Sequence, residues 1–167
     1  MSVRDMRLSE GVEWGVHCAV LLAVVPAPRS LSAARLAEYH GVPAPYLSKH
    51  LQALVRGRVL ESVSGPRGGF RLTRPAAEIT MLDIVEAIDG TEPSFTCTEI
   101  RRRGPTRLPA RDYTLPSSIH VVMDRADDAW RAELRAVTVA DLVGQVLERA
   151  PARAMEKGVH WMQEVLR

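Results

Sequence analysis

The chain has little cysteine. Cys18 and Cys97 are its only two, so at most one internal disulfide can form, and no CxxC pair exists to open a zinc site or a redox motif. A disulfide-stapled secreted scaffold is excluded. Long hydrophobic runs are also missing. The apolar stretch 18–25 follows Arg4 and Arg7 and so imitates a signal peptide. However, Glu10, Glu13 and His17 interrupt the approach, the run is far short of the ~20 residues a bilayer needs, and no small-residue cleavage site follows. The expectation is a cytoplasmic protein without membrane contact. Neither G-x-S-x-G, nor a Walker phosphate loop, nor H-E-x-x-H is present, which removes the motifs that would announce a hydrolase, a nucleotide enzyme or a zinc protease. No enzymatic activity and no internal repeat are expected.

What is there is an ordinary globular balance, 46% hydrophobic and 25% charged over 167 residues. That suits one domain with a real core, or a small domain with a helical appendage, and excludes wholesale disorder. The net charge of +2 hides an asymmetry. Residues 1–74 hold 10 Lys and Arg against 5 Asp and Glu, a net +5, while the other 93 hold 12 against 15, a net −3. A front half facing a polyanion is implied.

Ser9 is placed to cap a helix over 10–25 that Pro26 stops, with Val12, Val16, Ala19, Val20 and Ala23 at helical spacing. Ser32 opens a second, short helix ending at His40 and Gly41. Residues 44–56 restart a helix with proline in its first turn and Leu47, Leu51, Leu54 and Val55 as an apolar stripe. Val59–Val63 alternates like a strand, Gly65-Pro66-Arg67-Gly68-Gly69 supplies turn chemistry, and Phe70-Arg71-Leu72 alternates back. Thr80 and Asp83 form a capping-box pattern for a helix through Ile88. Residues 91–116 are rich in proline and arginine and predict a long loop. A long helix follows over 118–136, then one from Thr138 to Arg149, and a last one carrying Trp161, Val165 and Leu166. Trp14, Trp130 and Trp161 are expected in a core or a subunit interface.

Two helices joined by a glycine turn and followed at once by a basic hairpin make a winged helix-turn-helix pattern. The fold class expected is mainly α, with a two-stranded wing, a long dimerisation helix and C-terminal helices. The expected divisions are 1–90 for DNA binding, 91–117 as a sensor-type loop, and 118–167 for dimerisation. On the polar side of 44–56 the candidates for DNA contact are Tyr46, Ser48, Lys49, Gln52 and Arg56, with Arg67 and Arg71 on the wing. Lys49, Arg56 and Arg67 suit phosphates, and Ser48 and Gln52 suit base edges. The alternative for these residues is an ordinary solvated face.

Pro45-Tyr46-Leu47, Gly65-Pro66-Arg67-Gly68-Gly69-Phe70-Arg71-Leu72 and Ile79-Thr80-Met81-Leu82-Asp83-Ile84-Val85 resemble the Rrf family of bacterial winged-helix transcription regulators, relatives of IscR and NsrR. The resemblance runs from Met6 to Leu147. Glu13-Trp14, His17 and Cys97-Thr-Glu-Ile resemble its redox-sensing subgroup, typified by RsrR. The resemblance implies a homodimer on a palindromic double-stranded DNA operator and, in many members, an iron–sulfur cluster. In that subgroup a Glu and a His of the first helix, matched here by Glu13 and His17, share the cluster with two loop cysteines of the other subunit. Here the corresponding places hold Tyr113 and Ser117, and clusters are held chiefly by thiolates. The expectation is therefore a cluster-free regulator, without cofactor or metal, that acts as a repressor. Glu13, Trp14, His17 and Cys97 stay open as a sensor or small-molecule site. Glu13 and His17, one turn apart, are read as a hydrogen-bonded pair, or as half of a metal site completed by the partner subunit. Cys97 beside Arg101–Arg103 is read as a thiol switch or a packing residue. A protein-interaction module without DNA affinity is the rival reading.

Overall fold

A computed structural model of the chain describes residues 8–167. Arg4 and Arg7 of the basic front half, and Met6 where the resemblance begins, lie outside the described residues. The chain divides into two compact units, residues 8–90 with 134–167, and residues 91–133.

In the first unit, helix α1 spans Glu10–Ala23, α2 Ala33–His40 and α3 Ala44–Arg56. Ser9 occupies the cap position of α1, but its hydroxyl makes no cap bond. It donates to Asp89 instead, whose carboxylate also takes the Ser9 N–H at 2.9 Å. Ser32 does cap α2, accepting from the Arg35 N–H at 3.2 Å. Gly41 ends α2 at φ 67°, a left-handed turn that glycine adopts without steric cost and that sets the angle between the two helices. Strands β1 (Leu60–Val63) and β2 (Gly69–Leu72) pair antiparallel with Leu60 opposite Leu72 and Val63 opposite Gly69. Leu31 adds a one-residue bridge to Phe70, tying the wing to the start of α2. After a single 3₁₀ turn at Ala76–Glu78, α4 spans Met81–Asp89 and opens with the full capping box of Thr80 and Asp83.

The core lies where α1, α3 and α4 meet. Leu47, Leu51 and Leu54 of α3, Leu36 of α2, Cys18 of α1, Ile84 of α4 and Val59 are all at 0% exposure. Each such aliphatic side chain contributes roughly 1.5–3 kcal/mol relative to exposure. Helices α6 (Val139–Arg149) and α7 (Ala152–Val165) complete this unit. The sequence reading grouped them with the long helix in 118–167. The structure instead packs Val139 into the same core, together with Trp161, Met162, Val165 and Leu166. The reason is chemical: their apolar stripes find the exposed flanks of α1 and α2. Two backbone bonds hold the start of α6 beside the start of α4, Met81 N–H to Val137 C=O at 2.9 Å and Val139 N–H to Ile79 C=O at 2.8 Å.

The second unit holds the proline- and arginine-rich loop, with 3₁₀ turns at Ile100–Arg102 and Ala110–Asp112, and most of α5 (Ser118–Ala136). No residue of α5 is buried, and Ile119 (67%), Val122 (60%) and Trp130 (38%) stand exposed along it. No described helix is long and apolar enough to cross a membrane.

Candidate nucleic-acid interface

Helix α3 has two chemically distinct faces because its leucines recur at three- and four-residue spacing. With Leu47, Leu51 and Leu54 sealed inside, Lys49, Gln52 and Arg56 project outward and are exposed. Arg67 is exposed at the tip of the wing. Among the described residues the side chains of Gln52, Arg56 and Arg67 are bound to no hydrogen-bond or ion-pair partner, and the Lys49 ammonium lies 6.0 Å from the Tyr46 ring centre.

The other three candidates are engaged within the fold. Ser48 Oγ donates to the Ala44 carbonyl at 2.8 Å, a bond back along its own helix. Arg71 sits on β2 rather than at the tip, where it pairs across the sheet with Glu61 at 2.6 Å and donates to the Pro28 carbonyl at 3.1 Å. Its position holds the wing together. Tyr46 is half-buried, with its ring edge-on to His50 and Trp14 at 5.4 and 6.4 Å between centres. Burial and the neighbouring Glu10 carboxylate raise its phenol above the ordinary value.

Two arginines were missed by sequence reading. The wing tip and the start of α2 enclose a cleft of about 450 Å³ lined by Arg29, Ser30, Arg35 and Arg67. Arg35 stands in the first turn of α2, where the helix dipole disfavours a cation. There Glu38, one turn on, partners Arg35 at 2.7 Å.

The sensor candidates fall in different units. Glu13 and His17 are both exposed on α1. Beside them is a residue the sequence did not single out: His40, whose ring lies 5.8 Å from that of His17 and 6.0 Å from Trp14. Burial, then the charge of His17, lowers the His40 pKa and favours a neutral imidazole. Cys18 is buried, which pushes its thiol up to about 12. Cys97, in the other unit, is half-buried, and its Sγ accepts the Glu99 N–H at 3.4 Å. In the same loop the Tyr113 hydroxyl donates to the Arg101 carbonyl and accepts the Leu108 N–H at 3.0 Å. Arg101 and Arg102 lie over its ring at 5.2 and 5.8 Å. Ser117 precedes α5 and is half-buried. No group of three or more His, Cys, Asp or Glu gathers as metal ligands among the described residues.

Helix pair, glycine turn, amphipathic third helix and basic hairpin define a winged helix-turn-helix protein. Comparison with known proteins places it further: the chain belongs to the Rrf2 family, described as iron-dependent transcriptional regulators, which it matches over residues 8–145. It is 35% identical over 85 residues to the putative HTH-type transcriptional regulator YwgB of Bacillus subtilis, covering 51% of this chain and 54%, about half, of YwgB. It is 29% identical over 138 residues to the putative HTH-type transcriptional regulator BadM of Rhodopseudomonas palustris, covering 83% and 81% of the two chains. CymR, the global cysteine regulator of Bacillus subtilis, shares the fold with a TM-score of 0.66 at 19% identity, over 84% of this chain and 98% of CymR. The chain is thus a transcription regulator by family, and not an enzyme.

Proposed function

We propose that the chain is a homodimeric, sequence-specific DNA-binding regulator, most simply a repressor, acting in the cytoplasm without an iron–sulfur cluster. The observation that carries this reading is the division of α3, apolar face sealed and Lys49, Gln52 and Arg56 outside, with Arg67 on the adjacent wing. In a dimer, two such helices meet half-sites about one helical turn apart on a palindrome. The exposed apolar side chains of α5, Ile119 and Val122 above all, support a second copy of the chain as partner.

The family description names iron, and the donor chemistry here does not fit a cluster. Clusters are held chiefly by thiolates, but Cys18 is a buried thiol whose pKa is pushed up to about 12. The loop offers Cys97 alone, while the Tyr113 hydroxyl is committed to Arg101 and Leu108. Among the described residues no hydrogen bond or ion pair joins Glu13 to His17, so the pair expected from their spacing does not form, and the reading left to them is ligand sensing.

The test is fluorescence anisotropy with an operator selected from random duplexes, over a range of salt concentrations. Lys49→Ala and Arg67→Ala are each expected to weaken binding and to lower the salt slope by about 1.8, the share of two phosphate contacts, one from each subunit of the dimer. Indifference to both substitutions favours the interaction-module reading. Anaerobically purified protein is expected to be colourless and iron-free. A coloured, iron-loaded dimer overturns the cluster-free part alone.

A further inference from the structure

The unit formed by residues 8–90 and 134–167 contains a second groove, of about 890 Å³, which shares Arg29 with the cleft beside the wing but includes none of Lys49, Gln52, Arg56 and Arg67. That volume is within the range of small-molecule sites, roughly 300–1,000 Å³. Its walls are apolar side chains of α1, α6 and α7, and Val24, Val146, Leu147 and Val159 stand exposed there. Its polar lining is His17, Arg29, Tyr39, Gln163 and Arg167, with no Asp or Glu side chain among the lining residues. Arg29 and Arg167 line both this groove and the cleft beside the wing, and the Arg29 guanidinium donates to the carbonyl of Leu166. The groove is thus apolar along its length and cationic at one end.

That distribution selects a ligand class. Covering the exposed valines and leucine favours a hydrocarbon body. Guanidinium forks beside apolar walls favour a carboxylate, since charge-assisted bonds are strongest where water is partly excluded. We propose that this groove is the effector site of the regulator and takes a monocarboxylic acid with an apolar body, its carboxylate on Arg29 and Arg167. Because His17, Val20 and Leu21 belong to α1, Arg29 to the connection that follows it and Tyr39 to α2, while the facing wall comes from α6, α7 and the two residues after α7, the bound acid ties the helix-turn-helix to the C-terminal helices. It thereby favours one arrangement of the reading head over another. This regulatory consequence rests on the DNA-binding reading; binding of the acid does not.

The experiment is calorimetric titration of the full chain with octanoate, octanamide, octyl phosphate and acetate, repeated on Arg167→Gln and Val146→Glu. Val146 is exposed, so Val146→Glu leaves the core intact, as an unchanged melting temperature would verify, and sets a like charge in the ligand's path. One octanoate per chain is expected, bound about tenfold or more tightly than octanamide, as a charge-assisted contact implies, and more tightly than acetate. Arg167→Gln is expected to remove the margin over octanamide, and Val146→Glu to abolish binding. Equal affinity for acid and amide, tighter binding of octyl phosphate, or undiminished octanoate binding by Val146→Glu overturns the proposal. Failure to bind octanoate also overturns it, and groove amides protected from hydrogen exchange in a dimer would then assign the groove to a second copy. Operator affinity is then measured with and without octanoate, and a shift is expected. An unshifted operator complex that carries bound octanoate overturns the effector role. A chain that binds octanoate and no operator overturns the DNA reading and leaves the acid site standing.

Discussion

His50, on the inner side of α3, is 7% exposed, and its ring lies where a Cβ added to Gly11 would fall 2.5 Å away. Burial, reinforced by the charge of Lys49, lowers its pKa, while Glu10 and Asp89 oppose the shift. Its folded pKa is thus below the ordinary value of about 6.5, so in mild acid the unfolded chain binds more protons than the folded one. Stability is accordingly unaffected above about pH 6.5 and falls as pH drops below it towards the folded pKa. His40 acts with the same sign. The melting temperature is expected to be lower at pH 5.5 than at 7.5, and less so in His50→Gln; an identical pH dependence in that variant would refute the assignment. Gly11→Ala is expected to cost about 1–3 kcal/mol by overpacking, measured by chemical denaturation. Neither residue was legible in the sequence, because a glycine and a histidine at close approach leave no periodic trace. Lys49 and Arg67 were legible, since their outward placement follows from the leucine stripe and the wing turn. Arg71 was not, because its partner Glu61 is fixed by strand register alone.

Helix ends and apolar stripes are legible in the sequence, and where a side-chain cap forms, the helix begins where the capping residue places it. The capping box of Thr80 with Asp83 is matched at α6, where Thr138 accepts the Asp141 N–H at 3.1 Å and Asp141 in turn accepts the Thr138 N–H at 2.8 Å. The Thr138 hydroxyl, which donates to the same carboxylate at 2.7 Å, and then the Thr138 N–H hold the Asp141 carboxyl below its usual pKa. Replacing Thr138 with Ala is expected to destabilise the fold by about 1 kcal/mol. A loss of stability below the error of a denaturant titration would show that the cap is redundant with the backbone bonds beside it. Ser9 misled because a good capping residue can be claimed by a distant acceptor, here Asp89, 80 positions along the chain. Within α3, Leu51→Ala removes a fully buried side chain and is expected to cost 2–5 kcal/mol, in the range of such core truncations. Folding of α3 and its ability to present Lys49 and Gln52 would be lost together.

At the scale of the whole molecule, α5 has no buried residue and its apolar side chains are unsatisfied in one chain. Ile119→Asp with Val122→Asp is expected to convert a dimer to monomers in sedimentation equilibrium and to abolish tight binding to a palindrome; a wild-type chain that sediments as a monomer would sink the dimer reading. The sequence announced α5 as needing a partner but assigned α6 and α7 to the same division, because an amphipathic stripe states that a face is covered and not by what. Their packing on residues 8–90 has one more consequence. The bonds from Met81 to Val137 and from Val139 to Ile79, with the core contacts of Val139 and Trp161, grip the chain on both sides of the exposed arginine loop. Light trypsin treatment at Arg103 or Arg107 should therefore yield a nicked but intact particle, two fragments that co-elute and complement one another, so that a protease reaching the loop would cut the polypeptide without releasing its reading head.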